Sequence, residues 1–294
     1  MTRLFDLTTH AKHDPAHCLA PNLFRTLKRG DRKKLKLDVR YEYGVNESIR
    51  FTGFEPLDAF DMRVLQALTA MAGPSNLLLD PSKPEDEQSV MALDLIKSLD
   101  PRHNSKTEVN RVVMTKVCAL LKQIGYGDGK KNIQAAEASL YRLANVTFDL
   151  KIEDKHWVQH ILGYGYDKKN RNLLVSINHR ITDAVLSRNG CRHTIINMNE
   201  VRAIKIDPAS ILHQRLCAIV DPGKDRKFKV DTLISYIWSY EVGHSTLRTR
   251  KQTLLKCLEE IEQTGAWKFE LSITAAMYSV SRIKYRTNAD AIPY

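Results

Sequence analysis

Two short runs carry side chains that could do chemistry on an anion. One is "STLRTRKQ", with Ser245, Thr246, Arg248, Arg250, Lys251 and Gln252; the other is "KKNIQ", with Lys130, Lys131, Asn132 and Gln134. Arg and Lys suit guanine edges or phosphates, and Asn and Gln suit adenine. Each run opens a predicted helix, and each puts its bases where a helix least wants them. Glu259, Glu260 and Glu262 close the first helix, and Glu137 follows the bases of the second. The helix dipole favours the opposite order by roughly 0.3–1 kcal/mol per charge. The same dipole, with the free N–H groups of the first turn, favours a bound phosphate. A reversed helix is therefore strained alone and relieved by an anion. A basic cluster on one helix is ordinarily just a solvated face; two reversed helices in similar settings tip the reading toward nucleic acid.

The elements that must hold these runs are legible. Leu247, Leu254, Leu258 and Ile261 form an apolar stripe behind the C-terminal run, with Ser245 or Thr246 as cap. "KLKLDVRYEY" and "SIRFTGF" alternate like a hairpin about Gly44–Asn46, and Asp58 and Gly73 bracket an amphipathic helix. Next come a strand Val112–Met114, a cap at Thr115, a helix to Ile124, a glycine-rich turn, the helix with "KKNIQ" and a strand Val146–Ile152. Alternating strands continue around the turn Asp167–Asn172. The C-terminal half repeats the order, with Asp207 as cap and Pro208 at the first helical position. "FKVD" stands for "VVMT", and Leu233 and Ile237 fall where Val117 and Leu121 fell. "WKFELSITAAMYSVSRIKY" supplies the last two strands.

That order predicts an α+β chain of tandem winged-helix domains, each a helix-turn-helix with a β-hairpin wing. The expected division is a basic arm and hairpin over 1–55, an N-terminal winged helix over 56–200 and a C-terminal one over 201–294. "SVMALDLIKSLDP" reads equally as helix or strand.

Lys and Arg outnumber Asp and Glu by 45 to 34, a formal charge of +11, which points to a polyanionic partner. No apolar run reaches the ~20 residues of a spanning helix, and the first residues show no signal-peptide pattern. The five cysteines are scattered with no C-x-x-C pair, which suits a reducing cytoplasm. Eight basic residues between Arg25 and Arg40 face only Asp31 and Asp38. Within that arm Arg32, Lys33, Lys34 and Lys36 are expected on the DNA backbone, together with the wing residues Lys168, Lys169, Arg171, Arg282 and Lys284.

Catalysis is not expected. His13, His17 and Cys18, or His156 and His160, raise zinc, but close cysteine pairs and a fourth ligand are missing. Tyr164 and Tyr166 raise a strand-cutting tyrosine, but there is no histidine pair spaced to hold its metal. No phosphate-cradling G-x-x-x-x-G-K-[ST] loop occurs. Neither metal nor cofactor is expected.

The blocks "HDPAHCLAPNLFRTLKRGDRKKLKLDVRYEYG", "LQALTAMAGP", "LHQRLCAIVDPGK" and "STLRTRKQ" closely resemble, in order, segments of the replication protein C family, initiators of IncQ-type broad-host-range plasmids. The likeness spans nearly the whole chain and is weakest from Leu79 to Asn110. It implies binding to direct repeats (iterons) at the plasmid origin and opening of adjacent A·T-rich DNA for a plasmid-encoded helicase and primase. It also implies contact with the A·T-rich single strand, and homodimerisation through the N-terminal domain. By the same resemblance "STLRTRKQ" is the principal base-reading surface and "KKNIQ" the lesser one. Two other classes compete: a winged-helix repressor on operator DNA, and a tyrosine nicking enzyme.

Overall fold

Asp14 caps the first helix by accepting from the N–H of Ala16 at 2.7 Å, with Pro15 pre-set for the first helical turn. The computed structural model describes residues 8–43, 47–73, 111–152, 155–167, 172–187, 192–238, 240, 242–272 and 276–284. Strand β1 (His10–His13) leads into α1 (Pro15–Leu19). Ala11, His13, Ala16, His17 and Cys18 are all buried. The segment ahead of the basic run thus forms a buried strand and helix. After α2 (Asp31–Lys34), strands β2 (Leu37–Glu42) and β3 (Glu47–Gly53) form the predicted antiparallel hairpin. Helix α3 (Ala59–Met71) starts at Asp58 in a reciprocal capping box with Asp61, worth about 1 kcal/mol.

Next come β4 (Arg111–Thr115), α4 (Val117–Gln123), α5 (Lys130–Ala144) and four strands. These are β5 (Thr147–Ile152), β6 (Lys155–His160), β7 (Leu162–Asp167) and β8 (Asn172–Ile177). A connecting segment holds α6 (His179–Leu186), β9 (Thr194–Asn197) and α7 (Met198–Ala203). The C-terminal half runs α8 (Asp207–Ile219), β10 (Asp225–Lys229), α9 (Val230–Ile237), α10 (His244–Glu262), β11 (Trp267–Ser272) and β12 (Met277–Arg282).

The duplication is structural. Strand order β4-β8-β7 in one half matches β10-β12-β11 in the other, all neighbours antiparallel. The halves differ by an insertion: hairpin β5–β6 leaves the small sheet and extends the N-terminal hairpin to β2-β3-β5-β6. Phe51 and Phe148, Cα partners on neighbouring strands, are fully buried on its inner face. Burying a side chain of that size is worth about 1.5–3 kcal/mol.

Helices α3 and α8 are apolar or hydrogen-bonded on nearly every side because they pack against each other. Arg63 donates to the carbonyls of Val201 and Ile204 and to Ser210 Oγ, and Gln66 Nε2 donates to Gln214 Oε1 at 2.6 Å. The capping residues correct three details of the sequence reading. The caps are Lys116, Lys229 and Ile206, not Thr115, Asp231 or Asp207, because the backbone turns helical one residue later in the first case, two earlier in the second and one earlier in the third. Counted from Lys116 and Lys229, Leu120, Leu121 and Ile124 match Leu233, Ile234 and Ile237, and all six are buried. The true apolar register is three residues from the expected one.

Candidate nucleic-acid interface

Helices α5 and α10 start alike. Gly129 and Gly243 are the caps, both extended, neither with a side-chain hydrogen bond to the first turn, and neither first turn holds an acid. Such a terminus leaves N–H donors and the positive dipole end for an outside acceptor. Lys130, Lys131 and Gln134 are exposed on α5, and Ser245, Thr246, Arg248, Lys251 and Gln252 on α10. Asn132 is half-buried, and its Nδ2 donates to the Gly127 carbonyl at 2.8 Å, so it closes the glycine turn as well as lying beside it. Ser245 and Thr246 do not cap α10: the helix begins one residue earlier, at His244, which places both hydroxyls inside the first turn.

Arg250 is the main correction. It was expected to project beside Arg248, but it is only 6% exposed. Its guanidinium lies 4.3 Å from the Tyr240 ring centroid and 5.3 Å from that of Trp238, and Nη1 donates to the Tyr240 carbonyl at 2.7 Å. Counted from the caps, Arg250 occupies the place of Ala136, just as Leu254 occupies that of Leu140. Position seven of each helix faces the core, so in this conformation the cation turns inward.

Arg282 is corrected in the same way. It is 2% exposed, stacked on Trp267 at 5.1 Å, and donates to the carbonyls of Cys217, Val220 and Ile195. It staples the C-terminal sheet to α8 and β9 and does not reach outward. Arg32 is also engaged: it pairs with Asp58 and Asp61 and donates to the Pro56 carbonyl. Lys33, Lys34, Lys36 and Lys284 are exposed as expected. Lys168, Lys169 and Arg171 lie outside the described residues.

The sequence reading missed two buried charge clusters. Asp61, at 0% side-chain exposure, takes Arg142 from the last turn of α5 at 2.7 Å as well as Arg32. Glu200 Oε2 accepts from His213 Nε2 at 2.6 Å and from Trp267 Nε1 at 2.7 Å, with Cys217 Sγ 3.4 Å from the imidazole. Glu200, His213 and Cys217 form the one grouping of metal-ligand type among the described residues. Its shortest contact is a hydrogen bond of an ion pair. Burial opposes charge on His213, but Cys217 and Glu200 outweigh it and hold the imidazole up to about 10. Two of the histidines that raise zinc in the sequence have carboxylate partners: His17 bonds Asp14, and His156 bonds Asp149. Burial pushes His13 down to about 3, keeping it neutral. Tyr164 and Tyr166 stack edge to face, and burial pushes Tyr166 up to about 12, the wrong direction for a nucleophile.

Two halves, each a small antiparallel sheet with a helix pair whose second member starts uncapped and basic, define a mixed α/β protein of a fold already seen in solved structures. The crystal structure of the Pi initiator protein in complex with iteron DNA matches with a TM-score of 0.52 at 11% identity, covering 96% of this chain and 100% of that one. Domains 2 and 3 of RctB match with a TM-score of 0.54 at 9% identity, covering 91% and 98%. No curated protein matches the sequence. The chain belongs to the Replication protein C (RepC) family, whose profile matches residues 5–284. No helix among the described residues is long and apolar enough to cross a membrane.

Proposed function

We propose that this protein is a cytoplasmic plasmid replication initiator that acts by binding, not by catalysis. Its two winged-helix units, over 56–200 and 201–294, bind iterons at the origin and promote opening of adjacent A·T-rich DNA for helicase and primase. The observation that carries the reading is the pair of uncapped, acid-free, basic helix starts at α5 and α10. Membership of a replication protein family supports it. The deciding experiment is a footprint on the protein's own origin region, with permanganate to detect melted thymines. Protection of direct repeats with reactive thymines beside them is the expected result. Protection of an inverted repeat without melting would favour a repressor.

With Arg250 turned inward, Arg248 becomes the arginine to test. Arg248→Ala should cost about 1–3 kcal/mol on specific sites and relax discrimination at one base position. Equal weakening on random DNA would demote Arg248 to a phosphate contact. Replacing Lys33, Lys34 and Lys36 together by Ala should lower the slope of log K against log[salt] by about 2.7, since each phosphate contact contributes about 0.9. An unchanged slope places these lysines off the DNA.

A further inference from the structure

The basic segment, expected to pack on or lead into the N-terminal domain, is also fastened to the C-terminal half. Trp238, which ends α9, donates from Nε1 to Thr26 Oγ1 at 3.0 Å. Arg215 makes a second tie: its guanidinium lies 5.6 Å from the Tyr236 ring centroid while Nη2 donates to the Ala20 carbonyl at 3.0 Å. The chain from Ala20 to Thr26 is thus held at both ends against α9 and its surroundings. Lys28 and Arg29 follow, exposed, two and three residues beyond the Thr26 anchor. At no more than ~3.6 Å per residue their backbones stay within about 11 Å of it.

Trp238 is also one wall of the Arg250 site. Alanine suffices at the equivalent place in α5, so core packing alone does not call for an arginine there. What the guanidinium adds is a grip on Trp238 and Tyr240, the connection that leads into α10. One indole therefore touches both the basic segment and the helix whose start is open to an anion.

We propose that Trp238, held by Thr26 and Arg250, joins the exposed cations from Lys28 to Lys36 and the start of α10 into one composite surface on a single DNA duplex. The segment lies along phosphates flanking the groove that α10 enters; Thr26, Trp238 and Arg250 are positioning residues that need not touch DNA. The inference rests on reading α10 as a DNA-contacting helix.

The test is a cycle of salt-dependent binding to a duplex with one specific site, read by fluorescence anisotropy, with thermal melting as a control for folding. Replacing Lys28 and Arg29 by Ala should lower the salt slope by about 1.8 in the wild-type background. In a Trp238→Phe background, which keeps the ring but loses the N–H, the same pair of changes should remove much less. Thr26→Val should mimic Trp238→Phe, and Thr26→Ser should behave as wild type. An equal slope loss in both backgrounds would overturn the proposal, because the segment would then find DNA without its anchor. No slope loss in the wild-type background would overturn it too, placing the segment off the duplex while α10 still binds. A wild type without salt-dependent duplex binding defeats the reading of α10 itself, an outcome separable from either of these.

Discussion

Glu200→Gln lowers the stability of the folded chain by about 3–5 kcal/mol at neutral pH, the cost of leaving one member of a buried ion pair without its partner. Glu200 and His213 are 2% and 1% exposed and meet at 2.6 Å. Gln can still accept from Trp267, so the variant isolates the lost charge from the lost hydrogen bond. The pH dependence follows from the signs. His213 is held up to about 10, so below its ordinary 6.5 the folded and unfolded chains both carry the proton and the contribution is complete. Between 6.5 and 10 the unfolded chain releases that proton first, and stability falls as pH rises. His13 works from the other side: at about 3 when folded, it makes stability fall as pH drops from 6.5 toward 3. The wild type is therefore most stable near neutrality. In Glu200→Gln one of the two groups that hold the His213 imidazole up is gone, Cys217 remaining, and the alkaline decline shrinks. Urea unfolding between pH 6 and 9.5 measures both effects; a variant within 1 kcal/mol of wild type at pH 7 would refute the charged pair.

The pattern of elements was legible because apolar periodicity is local. The stripe behind α10 and the alternation of β2 and β3 need no knowledge of distant partners. The destination of a charged side chain is not local. Arg282 sits on an alternating strand as a wing cation would, yet carbonyls from Ile195, Cys217 and Val220 converge on it from other elements. Arg250 was misplaced for the same reason, although two signals were present. Trp238 and Tyr240 lie just ahead of the helix, and the repeat puts Ala136 at the matching position. Lysines fared better than arginines, because a compact, strongly hydrated ammonium is seldom buried while a guanidinium stacks and takes several acceptors. Glu200 and Asp61 were missed as hubs since each is completed by residues far along the chain. The hairpin β5–β6 was seen as strands, but its pairing with β3 depends on shape that alternation does not encode.

Asp61→Asn should have an effect as large as the change at Glu200, and it reaches the candidate interface directly. The carboxylate is fully buried and does two jobs at once. It accepts from the N–H of Asp58 at 3.0 Å in the capping box, and it takes Arg142 through contacts of 2.7 to 3.2 Å. Asn can keep the first job, worth about 1 kcal/mol, but not the second. The Arg142 side chain is 11% exposed, so losing its counter-charge should cost about 3–5 kcal/mol; Arg32, at 29%, loses less because water reaches it. Arg142 stands in the last turn of α5 and Arg32 in α2, so one carboxylate fixes on α3 both the N-terminal candidate helix and the start of the lysine run. The variant should therefore bind DNA with a lower salt slope, by about 1.8 if Lys130 and Lys131 disengage, while discrimination by α10 persists. Stability is read by urea unfolding and binding by anisotropy on one duplex. Asp61→Ala, which loses the cap as well, should be less stable again by about 1 kcal/mol. If Asp61→Asn matched the wild type in stability, the buried carboxylate would have to be neutral already, and the two arginines would owe their positions to their other partners, Asp58 and the Pro56 carbonyl for Arg32 and Glu55 for Arg142.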